Sequence, residues 1–130
     1  MQLEKYLGLA HTYGRLDCIT LVRLFYEQEF GIYINLPTYS HSRRWMTEIT
    51  VEKLDYWAKQ CAEKVSLTDA KNYDLIVFKS FNSNFITHFG LFLMPNRMLH
   101  VEEEQTSSIT TLSDYWVERI HAVYRLYALV

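Results

Sequence analysis

The sequence predicts an α+β fold in which helices come first and a small antiparallel sheet follows. Within residues 17–30 and again within 51–65, apolar residues recur at three- and four-residue steps, as in amphipathic helices. After residue 73 the pattern changes to short runs rich in β-branched and aromatic residues, separated by polar or Pro-Asn turns, which is typical of strands. With 130 residues and no Ser/Gly-rich linker, we expect a single domain over residues 1–130.

The first helix is predicted to run from Asp17 to Phe30. Asp17 is a favourable N-cap residue, and Gly31 is a typical helix end. The apolar positions that fall on one face are Cys18, Leu21, Val22 and Phe25. This face is expected to pack on the sheet.

A surface loop and a second helix are predicted next. The loop covers Ile32 to Trp45, includes Pro37 and a cluster of basic residues, and docks one tryptophan. The helix covers Val51 to Val65. The residues expected to face inward from it are Leu54, Trp57, Ala58, Cys61 and Val65.

The second half of the chain is predicted to be mainly strands. The runs 74–79, 87–94 and 97–102 are consecutive antiparallel strands, and Pro95-Asn96 connects the last two tightly. A short helix over 112–119 and a final strand over 122–129 complete the pattern. His88 and His100 therefore lie on neighbouring strands of one hairpin.

Composition and charge limit the classes of function. Thirteen basic against fifteen acidic residues give a net charge of −2, which argues against nucleic-acid binding as the main activity. The two cysteines, Cys18 and Cys61, are expected to be free thiols, with Cys61 in a packing role. We find no leader pattern and no apolar run long enough for a membrane span, so we expect a product made in the cytoplasm.

Three residues suggest cysteine-dependent catalysis. Cys18 lies in the first turn of the predicted helix, where free N–H groups and the helix dipole are expected to lower the pKa of a thiol. A histidine facing that turn can act as its base, and a second polar side chain can orient the imidazole ring. His88 and His100 suit those two roles. Each residue also has a purely structural interpretation, as a small core residue or a hydrogen-bonded core histidine.

Four segments carry a resemblance to a known family. The sequence resembles the NlpC-type (NlpC/p-sixty) cysteine peptidases, which are papain-like, in the segments Tyr13–Val22, Asp74–Phe78, His88–Leu93 and Met98–Val101. The resemblance implies that Cys18 is the nucleophile, His88 the general base and acid, and His100 the residue that orients His88. It also implies hydrolysis of peptidoglycan stem peptides between D-γ-glutamate and the next diamino acid, with no metal or cofactor.

The resemblance leaves the oxyanion-binding side chain open. The family places a tyrosine upstream of the cysteine, and here the corresponding stretch runs from Leu9 to Gly14. Either His11 or Tyr13 can take that role. Ile19 and Thr20, which follow the nucleophile, depart from the residues common in the family.

Within the family, the chain looks most like tail-assembly and tail-tip proteins of bacteriophages. The segments that carry this likeness are Glu4–Gly8, Phe30–Ile32, Leu36–Pro37, Arg119–Ile120 and Val123–Arg125. It implies a protein incorporated in several copies into a symmetric virion tail, with other tail-tip proteins as partners, and acting at the bacterial cell wall. The alternative is a structural or assembly subunit that keeps the peptidase fold with little or no activity. An acyltransferase with the same Cys-His chemistry is a third possibility.

The remaining polar residues are assigned to solvent. His41 and His121 are expected to face solvent, and the acidic run Glu102–Glu104 is expected to be a solvated strand end. The basic pair Arg43-Arg44 is interpreted as part of a polar loop.

Overall fold

A six-stranded antiparallel sheet forms the centre of the computed structural model, which describes residues 3–36 and 39–129. The strand order is β1-β6-β2-β3-β4-β5. The strands are β1 (Ala62–Val65), β2 (Leu75–Lys79), β3 (Ile86–Leu93), β4 (Arg97–His100), β5 (Ser108–Thr111) and β6 (Ile120–Leu126). The helices are α1 (Cys18–Phe30), α2 (Val51–Cys61) and α3 (Asp114–Val117). The predicted α+β class is confirmed.

Short 3₁₀ helices complete the described chain at Glu4–Tyr6, Arg43–Thr47, Leu67–Asp69 and Tyr127–Leu129. Trp45, in the second of them, is 1% exposed and stacks on Phe89 of β3 with ring centroids 6.0 Å apart. The prediction of one docked tryptophan in this loop is therefore confirmed. Pro37, which was also assigned to the loop, lies outside the described residues.

Helix α1 begins and ends where the sequence predicts. The Asp17 side chain accepts hydrogen bonds from the N–H groups of Ile19 (3.0 Å) and Thr20 (2.8 Å). The Thr20 hydroxyl accepts in return from the Asp17 N–H at 2.6 Å, which completes a capping box. Gly31 ends the helix with φ of 65°, a conformation that glycine adopts without a Cβ clash. This local geometry fixes Cys18 as the first helical residue.

The second helix is shorter than predicted, because α2 ends at Cys61. Residues Ala62–Val65 form the edge strand β1, with Ala62 opposite Leu126 and Val65 opposite Val123 of β6. The sequence pattern failed here because Val65 also falls at a helical spacing. Pairing with β6 satisfies the backbone of this segment instead, a long-range contact that a local pattern does not contain.

Other boundaries in the second half also differ from the prediction. Helix α3 has four residues instead of the eight predicted, and β6 begins at Ile120 and ends at Leu126, before a 3₁₀ turn. Strand β5 was not predicted at all. Its sequence, Ser-Ile-Thr-Thr, carries little apolar signal, and it forms by pairing with β4.

The two faces of the sheet pack different cores. Helices α1 and α2 cover one face, where Leu21, Phe25, Leu54 and Phe89 are almost fully buried. The smaller core on the other face includes Phe78, Phe92, Met98 and Leu112, with Trp116 of α3 against it. Of the residues predicted to face inward from α2, Leu54 and Ala58 are buried, Trp57 and Cys61 pack partly buried against the helical core, and Val65 joins the smaller core.

The hairpin of β3 and β4 brings the two histidines together, as predicted. Leu91 lies opposite Leu99, and continuing that register places His100 beside Gly90. Since side chains alternate along a strand, His88 and Gly90 share a face, and His100 shares it with them. No helix in the described part of the chain is both long and apolar enough to cross a membrane.

Candidate active site

The two histidine rings are in direct contact. Nε2 of His88 lies 2.9 Å from Nδ1 of His100, and the ring centroids are 5.1 Å apart. His100 is only 2% exposed. The predicted contact between these rings is confirmed, and its length is that of a hydrogen bond.

A threonine that the sequence analysis did not identify extends this contact. Nε2 of His100 lies 3.0 Å from Oγ1 of Thr110, which in turn lies 3.3 Å from Oγ of Ser108. Both hydroxyls are on β5, whose pairing with β4 brings them beside His100. A threonine in a polar edge strand has no recognisable sequence signature, so only the strand pairing identifies it.

Aromatic rings hold the histidine pair in place. Trp116 stacks on His88 at 5.2 Å with an interplanar angle of 28°, and meets the His100 ring edge-on at 5.1 Å. Phe78 lies 5.5 Å from His88 on the other strand. Trp116 was also missed by the sequence analysis, because it comes from α3, far from both histidines along the chain. Packing by these rings limits the rotation of both imidazoles.

Burial keeps both imidazoles neutral. It lowers the pKa of His88 to about 3, with smaller effects from the charges of His100 and His11. It also lowers the pKa of His100 to about 4. At neutral pH the pair therefore holds no net charge, and each ring has one N–H and one free lone pair.

The environment of Cys18 differs from the sequence expectation. The thiol is 5% exposed, and burial raises its pKa, with a further increase from the negative charge of Asp17. Main-chain N–H groups of Phe89, Cys18 and Ile19 lie close enough to the sulfur to oppose this rise only in part. The predicted lowering of the thiol pKa by the helix N-terminus is therefore wrong. Desolvation outweighs the helix start, whose free N–H groups are largely bound by Asp17.

Cys18 and His88 are neighbours through the main chain of β3. The sulfur lies by the N–H group of Phe89, the residue directly after His88, because α1 packs on β3. Within residues 3–36 and 39–129, no hydrogen bond joins the Cys18 thiol to the His88 ring. The structure thus brings all three predicted residues to one end of the sheet and directly couples the two histidines.

His11 and Tyr13 both lie at this end of the sheet. Their rings meet edge-on at 4.6 Å, and His11 is near enough to lower the pKa of His88. The Tyr13 hydroxyl is buried, and it has no hydrogen-bond partner within the described residues. Burial raises the pKa of Tyr13 to about 12, with an added contribution from Glu103. Tyr13 therefore carries a protonated hydroxyl, and Glu103 is near enough to compete for its proton.

A cavity of about 430 Å³ opens beside His88. Its aromatic lining comes from Phe78, Phe81, Tyr115 and Trp116, and its charged lining comes from Arg43, Lys79, Arg119, Glu102 and Glu103. Cys18 is not part of the lining. The imidazole of His88, and not the thiol of Cys18, is therefore reached from this cavity.

The residues assigned to solvent divide into two groups. His41, Glu102 and Glu104 are exposed, as predicted. Glu103 is half-buried and lies 3.5 Å from Arg43, which is itself largely exposed.

His121 was predicted to face solvent, and this is wrong. Its side chain is 12% exposed, and Nε2 lies 2.7 Å from Oδ1 of Asp55 on α2. The Tyr124 hydroxyl donates to the same oxygen at 2.8 Å. The packing of α2 on β6 creates this contact, which no local pattern predicts. Cys61 packs as expected, and its thiol lies 3.7 Å from the Trp57 carbonyl oxygen.

Comparisons with known proteins agree with this architecture. The family model described as "NlpC/P60 family" matches residues 5–125. A solved structure of a protein "similar to lipoprotein, NLP/P60 family" from Staphylococcus aureus is 23% identical with a TM-score of 0.62, and covers 94% of this chain and 38% of its own. An NLPC/P60 family protein from Bacillus cereus is 18% identical with a TM-score of 0.63, and covers 94% and 37%.

This chain thus spans less than two fifths of the length of those two proteins. No curated protein matches it significantly. Among the described residues, no cluster of histidine, cysteine or acidic side chains is arranged to hold a metal ion.

Proposed function

The chain belongs to the NlpC/P60 family, a membership that supports a cell-wall peptidase activity, and we propose that it is a cysteine endopeptidase of peptidoglycan. The bond we assign to it is the amide between D-γ-glutamate and the following diamino acid of a stem peptide. The observation that carries the proposal is the hydrogen-bonded chain from His88 through His100 to Thr110. A chain of this kind orients an imidazole for proton transfer.

The chain of contacts supports Nδ1 of His88 as the base, because Nε2 is bound to His100. If His100 donates from Nε2 to Thr110, its Nδ1 must accept a hydrogen bond from Nε2–H of His88. Nδ1 of His88 then carries a free lone pair. Acid–base catalysis requires this pair of tautomers, with a proton on Nε2 of both histidines. Thr110 supports it by accepting from Nε2–H of His100.

The reaction then proceeds in two halves. Nδ1 of His88 takes the proton of the Cys18 thiol as sulfur attacks the amide carbon, and a tetrahedral oxyanion forms. The imidazolium returns that proton to the leaving amine, the C–N bond breaks, and a thioester remains. In the second half, His88 takes a proton from water, which attacks the thioester, and the proton returns to sulfur as the acid product leaves.

Proton transfer accompanies nucleophilic attack in this scheme. Burial raises the pKa of Cys18 and lowers that of His88, so the resting site holds a thiol and a neutral imidazole in place of an ion pair. The oxyanion is assigned to the N–H of Cys18 and the hydroxyl of Tyr13, which is buried and protonated. His11 is the alternative donor.

We further propose that the protein works as part of a bacteriophage tail, at the bacterial cell wall. The support is the likeness of five short segments, at both ends of the chain and after α1, to tail-assembly proteins. Its partners in this proposal are the stem peptide and other tail-tip proteins, in several copies around the tail axis. Attachment to a particle bound at the wall would raise the local concentration of the enzyme.

One observation favours a second candidate function, that of a structural tail-tip subunit with little or no activity. The Cys18 thiol is 5% exposed and does not line the cavity beside His88. A buried thiol of raised pKa is a poor nucleophile unless substrate binding uncovers it.

Digestion of purified peptidoglycan and of defined stem peptides distinguishes these functions. We expect the wild type to release fragments that end in D-γ-glutamate, identified by mass spectrometry, and Cys18→Ala to release none. Cys61→Ala is the matched control, because its thiol lies on α2 and packs against the core, and it should cleave like the wild type. No cleavage by folded wild-type protein, alone and in its assembled tail, would favour the structural subunit.

A further inference from the structure

A second cavity, of about 320 Å³, opens at the start of α1. Its lining combines residues around Cys18 with residues of the loop after α1, among them Gly14, Thr20, Arg23, Tyr39 and His41. The same loop lines the cavity beside His88 through Arg43. We call residues 39–45 of this loop the strap. Cys18 lines neither cavity, so the strap runs from one cavity to the other past a thiol that neither of them reaches.

The strap packs against the surroundings of the thiol. The His41 side chain lies against the main chain at Gly14, where a Cβ atom would come within 3.0 Å of it. Trp45 stacks on Phe89, whose N–H group lies by the Cys18 sulfur. One of these contacts is in the turn before α1 and the other is on β3, and the thiol lies between those two elements.

Tyr39 brings the strap near the sulfur itself. It packs against the core that contains Cys18, and its hydroxyl accepts a hydrogen bond from Nη1 of Arg23 at 3.3 Å. Burial raises the pKa of Tyr39, the hydrogen bond from Arg23 opposes that rise, and the nearby charges of Asp17 and Cys18 add to it. The strap therefore contributes to the burial that leaves the thiol 5% exposed.

The two ends of the strap are held differently. Trp45 is buried in the core, whereas the other end depends on polar contacts near the surface. The Glu48 carboxylate accepts from the Ser40 N–H at 2.5 Å and from the Ser40 hydroxyl at 2.6 Å. Arg43 is largely exposed and lies 3.5 Å from Glu103, a kind of pair that contributes little in water. A segment held in this way opens locally at a low cost in free energy.

We propose that the strap is an autoinhibitory cover, which opens about the buried Trp45 and joins the two cavities into one groove with Cys18 in its floor. This inference rests on the proposed function for its catalytic consequence, because a peptide laid across both cavities then reaches the thiol. A peptide that binds only the open form holds the strap away from Cys18. Activity and thiol reactivity are limited by the population of that open form.

The test measures how fast iodoacetamide alkylates Cys18 at fixed pH, with each thiol followed separately by mass spectrometry. Glu48→Ala removes both acceptors for Ser40, so the open form gains population and Cys18 should react about tenfold faster. Ser40→Ala removes one of the two hydrogen bonds and changes no charge, and here Cys18 should react about threefold faster. Cys61, on α2, should keep its wild-type rate in both variants, because it reports any general loosening of the fold.

Glu52→Ala is the matched control, because Glu52 is an exposed carboxylate in the first turn of α2. It removes the same charge as Glu48→Ala and should leave the alkylation rate of Cys18 unchanged. A wild-type rate in Ser40→Ala, equal acceleration of both thiols, or the same acceleration in Glu52→Ala would overturn the inference. Faster alkylation of Cys18 alone, in a protein that cleaves no stem peptide, would support the cover while contradicting the proposed function. Thermal unfolding shows that each variant is folded.

Discussion

The histidine half and the thiol half of the candidate site are organised differently. His88, His100 and Thr110 come from three neighbouring strands, and distances of 2.9 Å and 3.0 Å join them. Cys18 comes from a helix start that Asp17 has capped, and its buried thiol is not hydrogen-bonded to His88 in the described residues. Strand pairing therefore prepares the base before a substrate arrives. In the proposed reaction, the thiol must be uncovered by substrate binding before His88 can take its proton.

The largest expected effect comes from His100. We expect His100→Ala to lower kcat at least about a hundredfold, because it removes the acceptor for Nε2–H of His88 and frees the ring. His100→Asn should recover part of the loss, since an amide oxygen can accept the same hydrogen bond. Steady-state hydrolysis of a defined stem peptide measures both. Full activity in His100→Ala would show that His88 does not depend on its contact with His100, and so would contradict a base organised by strand pairing.

Stability should depend on pH through the same two rings. Their pKa values are about 3 and about 4 in the fold and about 6.5 in the unfolded chain, so the unfolded state binds more protons below pH 6.5. The free energy of unfolding is therefore highest above pH 6.5 and falls as the pH is lowered from there to about 3, the lower of the two folded-state pKa values. Each proton contributes a slope of about 1.4 kcal/mol per pH unit, or about tenfold in the unfolding constant.

Chemical denaturation between pH 7 and pH 4 measures this slope. The wild type should lose more stability over the range than His100→Asn does, because the variant has one fewer buried imidazole to protonate. His41→Asn is the control, since His41 is exposed, and it should follow the wild type. Identical slopes for all three proteins would contradict a histidine pair that stays neutral in the fold.

Thr110 provides a finer test of the histidine half. Thr110→Val keeps the shape of the side chain and removes the acceptor for Nε2–H of His100, so we expect kcat to fall about tenfold. Thr110→Ser keeps a hydroxyl and should restore most of the rate. In ¹⁵N spectra, the share of His100 protonated at Nε2 should fall in the valine variant and return in the serine variant. An unchanged tautomer would limit Thr110 to a packing role.

The smallest expected effect concerns the thiol half. Asp17→Asn keeps an oxygen that can cap α1 and removes the charge that raises the pKa of Cys18. We expect alkylation of Cys18 by iodoacetamide at fixed pH to become about three- to tenfold faster. Some stability should be lost, because the second Asp17 oxygen also accepts from the Gly14 N–H at 2.9 Å.

Glu27→Gln, at an exposed position on the same helix, is the control for net charge. Its alkylation rate should equal that of the wild type. If Asp17→Asn also reacts at the wild-type rate, desolvation alone controls the thiol, and Asp17 serves only as a helix cap.

Local patterns predicted those parts of the fold that depend on neighbours in sequence. The capping box at Asp17 and the left-handed Gly31 both depend on residues within a few positions, and both helix ends are confirmed. The β3–β4 hairpin was predicted because its turn and its two strands are consecutive. By contrast, β1 was predicted as helix because it forms only against β6, which is distant in sequence. Strand β5 was missed because its own sequence carries little apolar signal.

The same division applies to the site. Local patterns were enough to predict that Cys18 begins a helix and that His88 and His100 lie on neighbouring strands of one hairpin, because helix caps and tight turns are local. The packing of distant segments accounts for the contacts of Thr110 and Trp116 with the histidines and for a thiol too buried to ionise easily. It also places Arg119 in the lining of the cavity. Burial and side-chain contact depend on which distant segments pack together, and a pKa follows that environment more than it follows the nearest residues.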